Sequence, residues 1–383
     1  MKIMNQWPVF FLLLAFAIAP LFQGIQIGIL VAIYTLVLAV FIKVFLSSYK
    51  KFRIPYNSFS LFICLFYIWM ALSISWSPAP SISLFVFFWL SIFPLCYFTY
   101  SLKQPNSWSY LAVGILFLTL IFSLIGIGQS LFSPDEAPSS LFLTRNTYGA
   151  MLNLIALPAT VYFISPRQLS YRSSILLGII LFILFFAGFQ TGSKGAAVSL
   201  CLGLIFIFVI NWKYIEKFSF FKVVVILTTA LLLANIQQKI FTEHSIINRL
   251  EQLSIGLEET STSDRILMWQ SAWQVIKTSP IVGTGVGTFF LVFPGVRHPQ
   301  DRSAGNYLHN DYLQFWLETG FIGLSLMILL MVAISALFIR VLMQNNLMLR
   351  DRLEISGFMA GLYCIALHSF VDFNFYIIAI LMI

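Results

Sequence analysis

The chain has 383 residues, 60% of them hydrophobic and only 9% charged, and its mean hydropathy is +0.92. An ordinary soluble domain is about a quarter charged, so polar residues here are too few to coat a water-soluble body of this size, and a soluble enzyme is excluded. The formal net charge of +8 does not indicate nucleic acid, because the basic residues form no continuous patch and no RNA-reading motif.

The apolar stretches run about 16 to 25 residues, whereas porin-like strands need roughly 9 to 11 with strict alternation. The expected fold class is therefore all-α: a polytopic membrane protein with about 11–12 transmembrane helices and one large periplasmic loop. In chain order the spans fall at 7–22, 25–47, 58–76, 81–101, 108–132, 147–165, 173–191, 195–212, 219–235, 312–339, 355–370 and 373–383. The last is too short to cross a bilayer unaided. This divides the chain into an N-terminal transmembrane bundle of about nine helices (1–235), the long loop (236–311) and the C-terminal transmembrane helices (312–383). The amino-terminal run after Lys2, with small residues at Ala15 and Ala17, imitates a secretion signal. A signal and a first span both begin inside and deliver the chain outward, so the topology is the same for either. Cys64, Cys96, Cys201 and Cys364 fall within apolar spans without CxxC spacing, and neither disulfide nor metal site is expected.

Basic connections are retained in the cytoplasm. With the amino terminus inside, most basic residues, Lys43, Arg53, Lys213 and Lys222 among them, fall on the inner side. Arg145 and Lys194 stand out because they sit in short outer connections, against that bias. His244, His298, His309 and His368 share the outer side with most of the acids, so any chemistry is expected on the extracytoplasmic face. Asp135 and Glu136 read as an ordinary exposed loop.

Within the long loop, Ser263 suits an N-cap and Asp264 the first turn of a helix that continues through Arg265, Trp269 and Trp273 until Pro280 stops it. Trp269 and Trp273 share a face and, with Leu267, Met268 and Ile276, make an amphipathic helix suited to lie on the membrane or cap the bundle. Gly283, Gly285 and Gly287 mark a flexible turn. No strand precedes them, so they are not read as a nucleotide loop.

Taken together, Asp264 to Trp273, Ser279 and Pro280 followed by the three glycines, His309-Asn310-Asp311-Tyr312-Leu313-Gln314, and Glu318-Thr319-Gly320 with Gly323 resemble the O-antigen ligase family. Arg145 to Ala150 with Pro158, Thr191 to Gly195, and the stretch from His368 to Asp372 resemble further pieces of its pattern. The matching pieces cover about residues 140 to 375. The resemblance implies transfer of a glycan from a polyprenyl-pyrophosphate carrier to an acceptor hydroxyl, without cofactor, nucleotide sugar or metal, in the bacterial inner membrane. Three activities share the pattern: a ligase acting on a lipid core, a polymerase acting on a growing polymer, and an oligosaccharyltransferase acting on protein. Outside the class stand a non-catalytic translocator of lipid-linked glycan and a scaffold for glycan assembly.

The chemistry implied needs cations against a pyrophosphate leaving group and a base for a weakly nucleophilic hydroxyl. Arg265 is the first candidate cation. Lys194 occupies the position where the family usually carries arginine, offering a point charge in place of a planar fork. Arg145 either holds phosphate or anchors the outer helix end. His309, beside Asn310, is the candidate base, because an imidazole titrates near neutrality. His368 and Asp372 are four apart and would share a helical face, as a structural polar pair or as support for the site.

Overall fold

A computed structural model of the chain describes residues 7–22, 26–48, 57–102, 108–134, 136–165, 170–215, 217–241, 260–344 and 346–383. Lys2, Arg53, Asp135 and His244 lie outside the described residues. The described residues form helices and no strand. Nine stretches among them are long and apolar enough to cross a bilayer. The other three expected spans fall short for identifiable reasons. The first is the short Trp7–Leu21. The eleventh begins earlier than expected and carries Arg350, Asp351, Arg352 and Glu354 in its opening turns. The twelfth is broken into two single turns.

The helices are α1 (Trp7–Ile18), α2 (Ile27–Ser48), α3 (Ser58–Ser73), α4 (Pro80–Leu90), α5 (Ile92–Leu102), α6 (Trp108–Phe132), α7 (Arg145–Ile164), α8 (Tyr171–Gln190), α9 (Lys194–Asn211), α10 (Lys217–Phe241), α11 (Thr260–Thr278), α12 (Phe289–Val292), α13 (Asp311–Leu342), α14 (Leu349–His368) and α15 (Ile378–Leu381). They gather into two compact units that interleave along the chain.

Unit 1 takes the described residues of Met1–Ala112, Gly256–Leu337 and Ser369–Ile383. Its helices α1, α2 and α5 pack in succession. Phe59 and Ile63 of α3 meet Ala333 of α13 in an apolar cluster edged by Tyr97 and Phe98. Polar groups in this layer are spent locally: Tyr67 donates to the Leu90 carbonyl at 2.8 Å and Trp69 Nε1 to the Thr319 carbonyl at 2.8 Å, as an environment without competing water requires.

Unit 2 takes the described residues of Val113–Ile255 and Phe338–His368. Its centre is α7, packed by α8, α9 and α14 and opened by a capping box between Thr144 and Thr147. Close approach of α14 to α7 depends on small residues. A Cβ on Gly357 would stand 3.0 Å from Pro158 Cα, and one on Gly361 3.2 Å from the Leu154 carbonyl oxygen. Helix association in lipid favours such contacts, together with interhelical hydrogen bonds. Asn211 supplies one of these to Ser356 Oγ at 2.7 Å, and Asn153 supplies another to the Ala196 carbonyl at 2.7 Å.

Candidate active site

The site in unit 1 is built on an interruption of α13. Gly320 sits at φ 70°, ψ −176° inside the helix, a conformation essentially confined to glycine. The break leaves backbone groups unpaired, and the preceding loop satisfies them: Phe321 N–H donates to the Pro280 carbonyl at 2.8 Å and Ile322 N–H to the Ile281 carbonyl at 3.3 Å. In return, Thr284 and Gly285 N–H donate to the Leu317 and Glu318 carbonyls at 3.0 and 2.7 Å. Glu318 completes the junction from a fully buried position. Its carboxylate accepts from Gly287 N–H at 2.7 Å, Phe289 N–H at 3.3 Å, Gln314 Nε2 at 3.2 Å and the Tyr376 hydroxyl at 2.8 Å. The Gly283–Gly285–Gly287 turn, read from sequence as flexible, is thus pinned. Its glycines are required because the chains pass so closely that a Cβ on Gly283 would lie 2.4 Å from Gly320 N.

From this junction the order passes to His309. Gln314 Oε1 accepts from Leu308 N–H at 2.9 Å, and the Trp269 indole of α11 donates to the Leu308 carbonyl at 3.0 Å. Asn310 caps α13, its side chain accepting from Leu313 N–H at 3.0 Å. Between these two fixed neighbours His309 adopts φ 52°, a left-handed conformation uncommon for a non-glycine residue. Asp311, fully buried, fastens the opposite strap: its N–H donates to the Ser369 carbonyl at 2.9 Å and its Oδ2 accepts from Phe375 N–H at 3.0 Å.

That strap carries Asp372, whose Oδ1 lies 3.0 Å from His309 Nδ1; the histidine side chain is 27% exposed and the aspartate side chain fully buried. A carboxylate at Nδ1 fixes the proton there and leaves Nε2 as the basic nitrogen. Nε2 makes no hydrogen bond among the described residues. Phe373 meets the imidazole edge-on at 5.0 Å and stacks flat on Tyr307 at 4.1 Å. Burial pushes the Tyr307 phenol above its ordinary value, and the Glu318 and Asp311 charges push the same way, so this wall of the site stays neutral.

The shared helical face expected for His368 and Asp372 is not formed: α14 ends at His368, and Asp372 follows in the turn beyond it. His368 is buried at that helix end, and Asp372 Oδ1 meets His309, 63 residues away in sequence. Helix α11 also begins before the expected cap, at Thr260, so Ser263 lies within it. Its buried face, Met268, Ala272, Val275 and Ile276, caps a cluster with Phe289, Phe293 and Leu317. Arg265 is half-buried one helical turn before Trp269, about 6 Å of rise from the residue that holds Leu308. It makes no ion pair among the described residues, whereas Arg297 is taken up by Asp301 at 3.3 Å.

Arg145 and Lys194 belong to unit 2. Each is the first residue of its helix, α7 and α9. The two helix starts are adjacent, since a Cβ on Gly149 would stand 2.8 Å from Ala196 Cβ. A cation at a helix amino terminus opposes the macrodipole, and two such ends side by side form a locally positive region that suits an anion. Sequence reading passed over Glu318 and Asp311, although both lie within the quoted motifs. An acid flanked by apolar residues at the head of a span was the available signal.

The fold and site define a polytopic α-helical membrane protein with a histidine–aspartate pair beside the broken end of a spanning helix. Residues 179–328 match the family model described as O-antigen ligase. The segment contains Lys194, Arg265, His309, Asn310, Asp311, Glu318 and Gly320, whereas Arg145 and Asp372 fall outside it. An uncharacterized protein of Haemophilus influenzae is 24% identical over 225 residues, 55% of this chain and 54% of that protein. The chain thus matches about half the length of this relative.

Proposed function

We propose that the protein transfers a glycan from a polyprenyl-pyrophosphate carrier to an acceptor hydroxyl at the periplasmic face of the inner membrane, with its amino terminus in the cytoplasm. The observation that carries this reading is the His309–Asp372 pair, held at 3.0 Å with Nε2 left basic. In the reaction His309 Nε2 takes the acceptor proton as the hydroxyl oxygen attacks the anomeric carbon. The bond from that carbon to the pyrophosphate oxygen breaks, and the leaving group departs with the electron pair. Asp372 stabilises the imidazolium that forms. Arg265, in the same unit as His309, counters the charge gathering on the pyrophosphate, and Lys194 and Arg145 of unit 2 are phosphate-binding cations in their own right. The pair supplies the base that transfer to a hydroxyl requires, and it therefore supports transfer.

The test mixes purified protein in lipid with a labelled polyprenyl-pyrophosphate oligosaccharide and, separately, a lipid A-core acceptor, a peptide or no acceptor. One step onto the lipid core identifies a ligase, label on the peptide an oligosaccharyltransferase, and a ladder without added acceptor a polymerase. His309→Ala should lower the yield by about a hundredfold or more while membrane levels stay normal. Absence of product in every lane, with donor bound, would refute the reading. Orientation is checked independently: Gln300→Cys should react with an impermeant thiol reagent added from the periplasmic side.

A further inference from the structure

The polarity of α13 changes at its break. The helix that follows it, residues 321–342, is about 33 Å long, close to the roughly 30 Å of a bilayer's hydrocarbon core. Between Glu318 and Arg340 it carries no charge. Residues 311–319, by contrast, hold Asp311, Gln314 and Glu318.

At the level of the break, large apolar side chains are exposed on the long loop and at the head of the helix that follows it. Trp273 is 44%, Ile281 62% and Phe321 58% exposed. They form one patch through Trp316, whose ring lies 5.4 Å from Trp273 and 6.3 Å from Phe321 and whose indole N–H donates to the Pro280 carbonyl at 3.1 Å. Lys277, one turn after Trp273, is exposed on the same helix. Phe321 opens the spanning helix, so the patch is continuous with a surface that lipid already covers. Two indoles, one with its N–H satisfied by a loop carbonyl, apolar neighbours and a nearby lysine are the composition of a membrane–water interface.

We propose that the patch of Trp273, Ile281, Trp316 and Phe321 seats α11 and the 279–287 loop in the interfacial zone of the bilayer, with lipid as its partner. The long loop then rides in the headgroup layer. His309, which precedes the nine residues 311–319, sits no more than about 15 Å above the hydrocarbon boundary, within reach of a head group carried by a membrane-embedded lipid.

The test uses the full protein in phosphatidylcholine–phosphatidylglycerol vesicles, in a background whose four native cysteines are serine. A nitroxide is attached at Ile281→Cys or, as a water-exposed control, at Gln300→Cys. Relaxation by oxygen should dominate at 281, and relaxation by a water-soluble nickel chelate at 300. Equal nickel access at both positions would overturn the proposal, as would a label at 281 shielded from both reagents, which would indicate a second copy covering the patch. A functional arm rests on the glycan-transfer reading. The Trp273→Ser, Ile281→Ser double variant should lose at least tenfold with a long-chain polyprenyl donor and keep wild-type rates with a short-chain, water-soluble one. Equal loss with both donors would refute a role for the seat. A wild type inactive with both donors would count against the transfer reading alone, and the nitroxide result would still decide the seat.

Discussion

Replacing Glu318 should reveal how the junction at Gly320 supports His309. In Glu318→Leu the Gly287 and Phe289 N–H groups, the Tyr376 hydroxyl and the Gln314 amide each lose a buried acceptor. An orphaned buried donor costs about 1–3 kcal/mol, so the loss is on the order of 4 kcal/mol or more, a large part of a typical folding free energy. Spread over a chain of this length, that is a fall in Tm of at least about 5 °C. Glu318→Gln should cost less, about 1–3 kcal/mol. The Tyr376 hydroxyl can turn to accept from the new amide, but whichever way that amide faces, one backbone N–H meets an NH2. Thermal unfolding of the purified protein, followed by its loss from the monodisperse fraction, should therefore rank wild type above Gln above Leu. Transfer should fall in the same order, because Gln314 links Glu318 to Leu308, the residue before His309. A Leu variant with unchanged melting and full activity would refute the reasoning.

Other substitutions separate the remaining roles. Asp372→Asn should lower kcat by about 10²–10⁴-fold with little change in KM, since an amide N–H facing Nδ1 moves the proton to Nε2 and removes the base; a kcat within threefold of wild type would dismiss the pair. Gly320→Ala should yield no folded protein, as its Cβ would lie 2.1 Å from the Ile281 carbonyl oxygen, and normal recovery on size exclusion would show that the break is not required. Lys194→Arg should keep or raise activity if the residue holds phosphate, while Lys194→Ala should weaken donor binding about tenfold. A severe loss in the arginine variant would show that the ammonium itself is needed.

Sequence alone determined where the helices lie and which motifs travel together. The span expected at 108–132 is α6 residue for residue, and those at 173–191 and 195–212 are α8 and α9 within two residues. Span length is a local property, set by how many consecutive apolar residues match a bilayer. The candidate base was legible too, because His309 lies in a contiguous motif at the head of a helix. Tertiary structure decided what that motif accomplishes. The glycines after Pro280 and the acid at 318 read as separate signals, yet they form a single junction around the broken helix. His368 and Asp372 would share a face by spacing, but α14 ends between them, and the aspartate's Oδ1 meets His309 across 63 residues. Spacing can predict a partner only while the backbone keeps one regular geometry. Where it turns, as at Gly320 and after His368, partners are chosen by which buried groups must find hydrogen bonds, and only the packed chain supplies that answer.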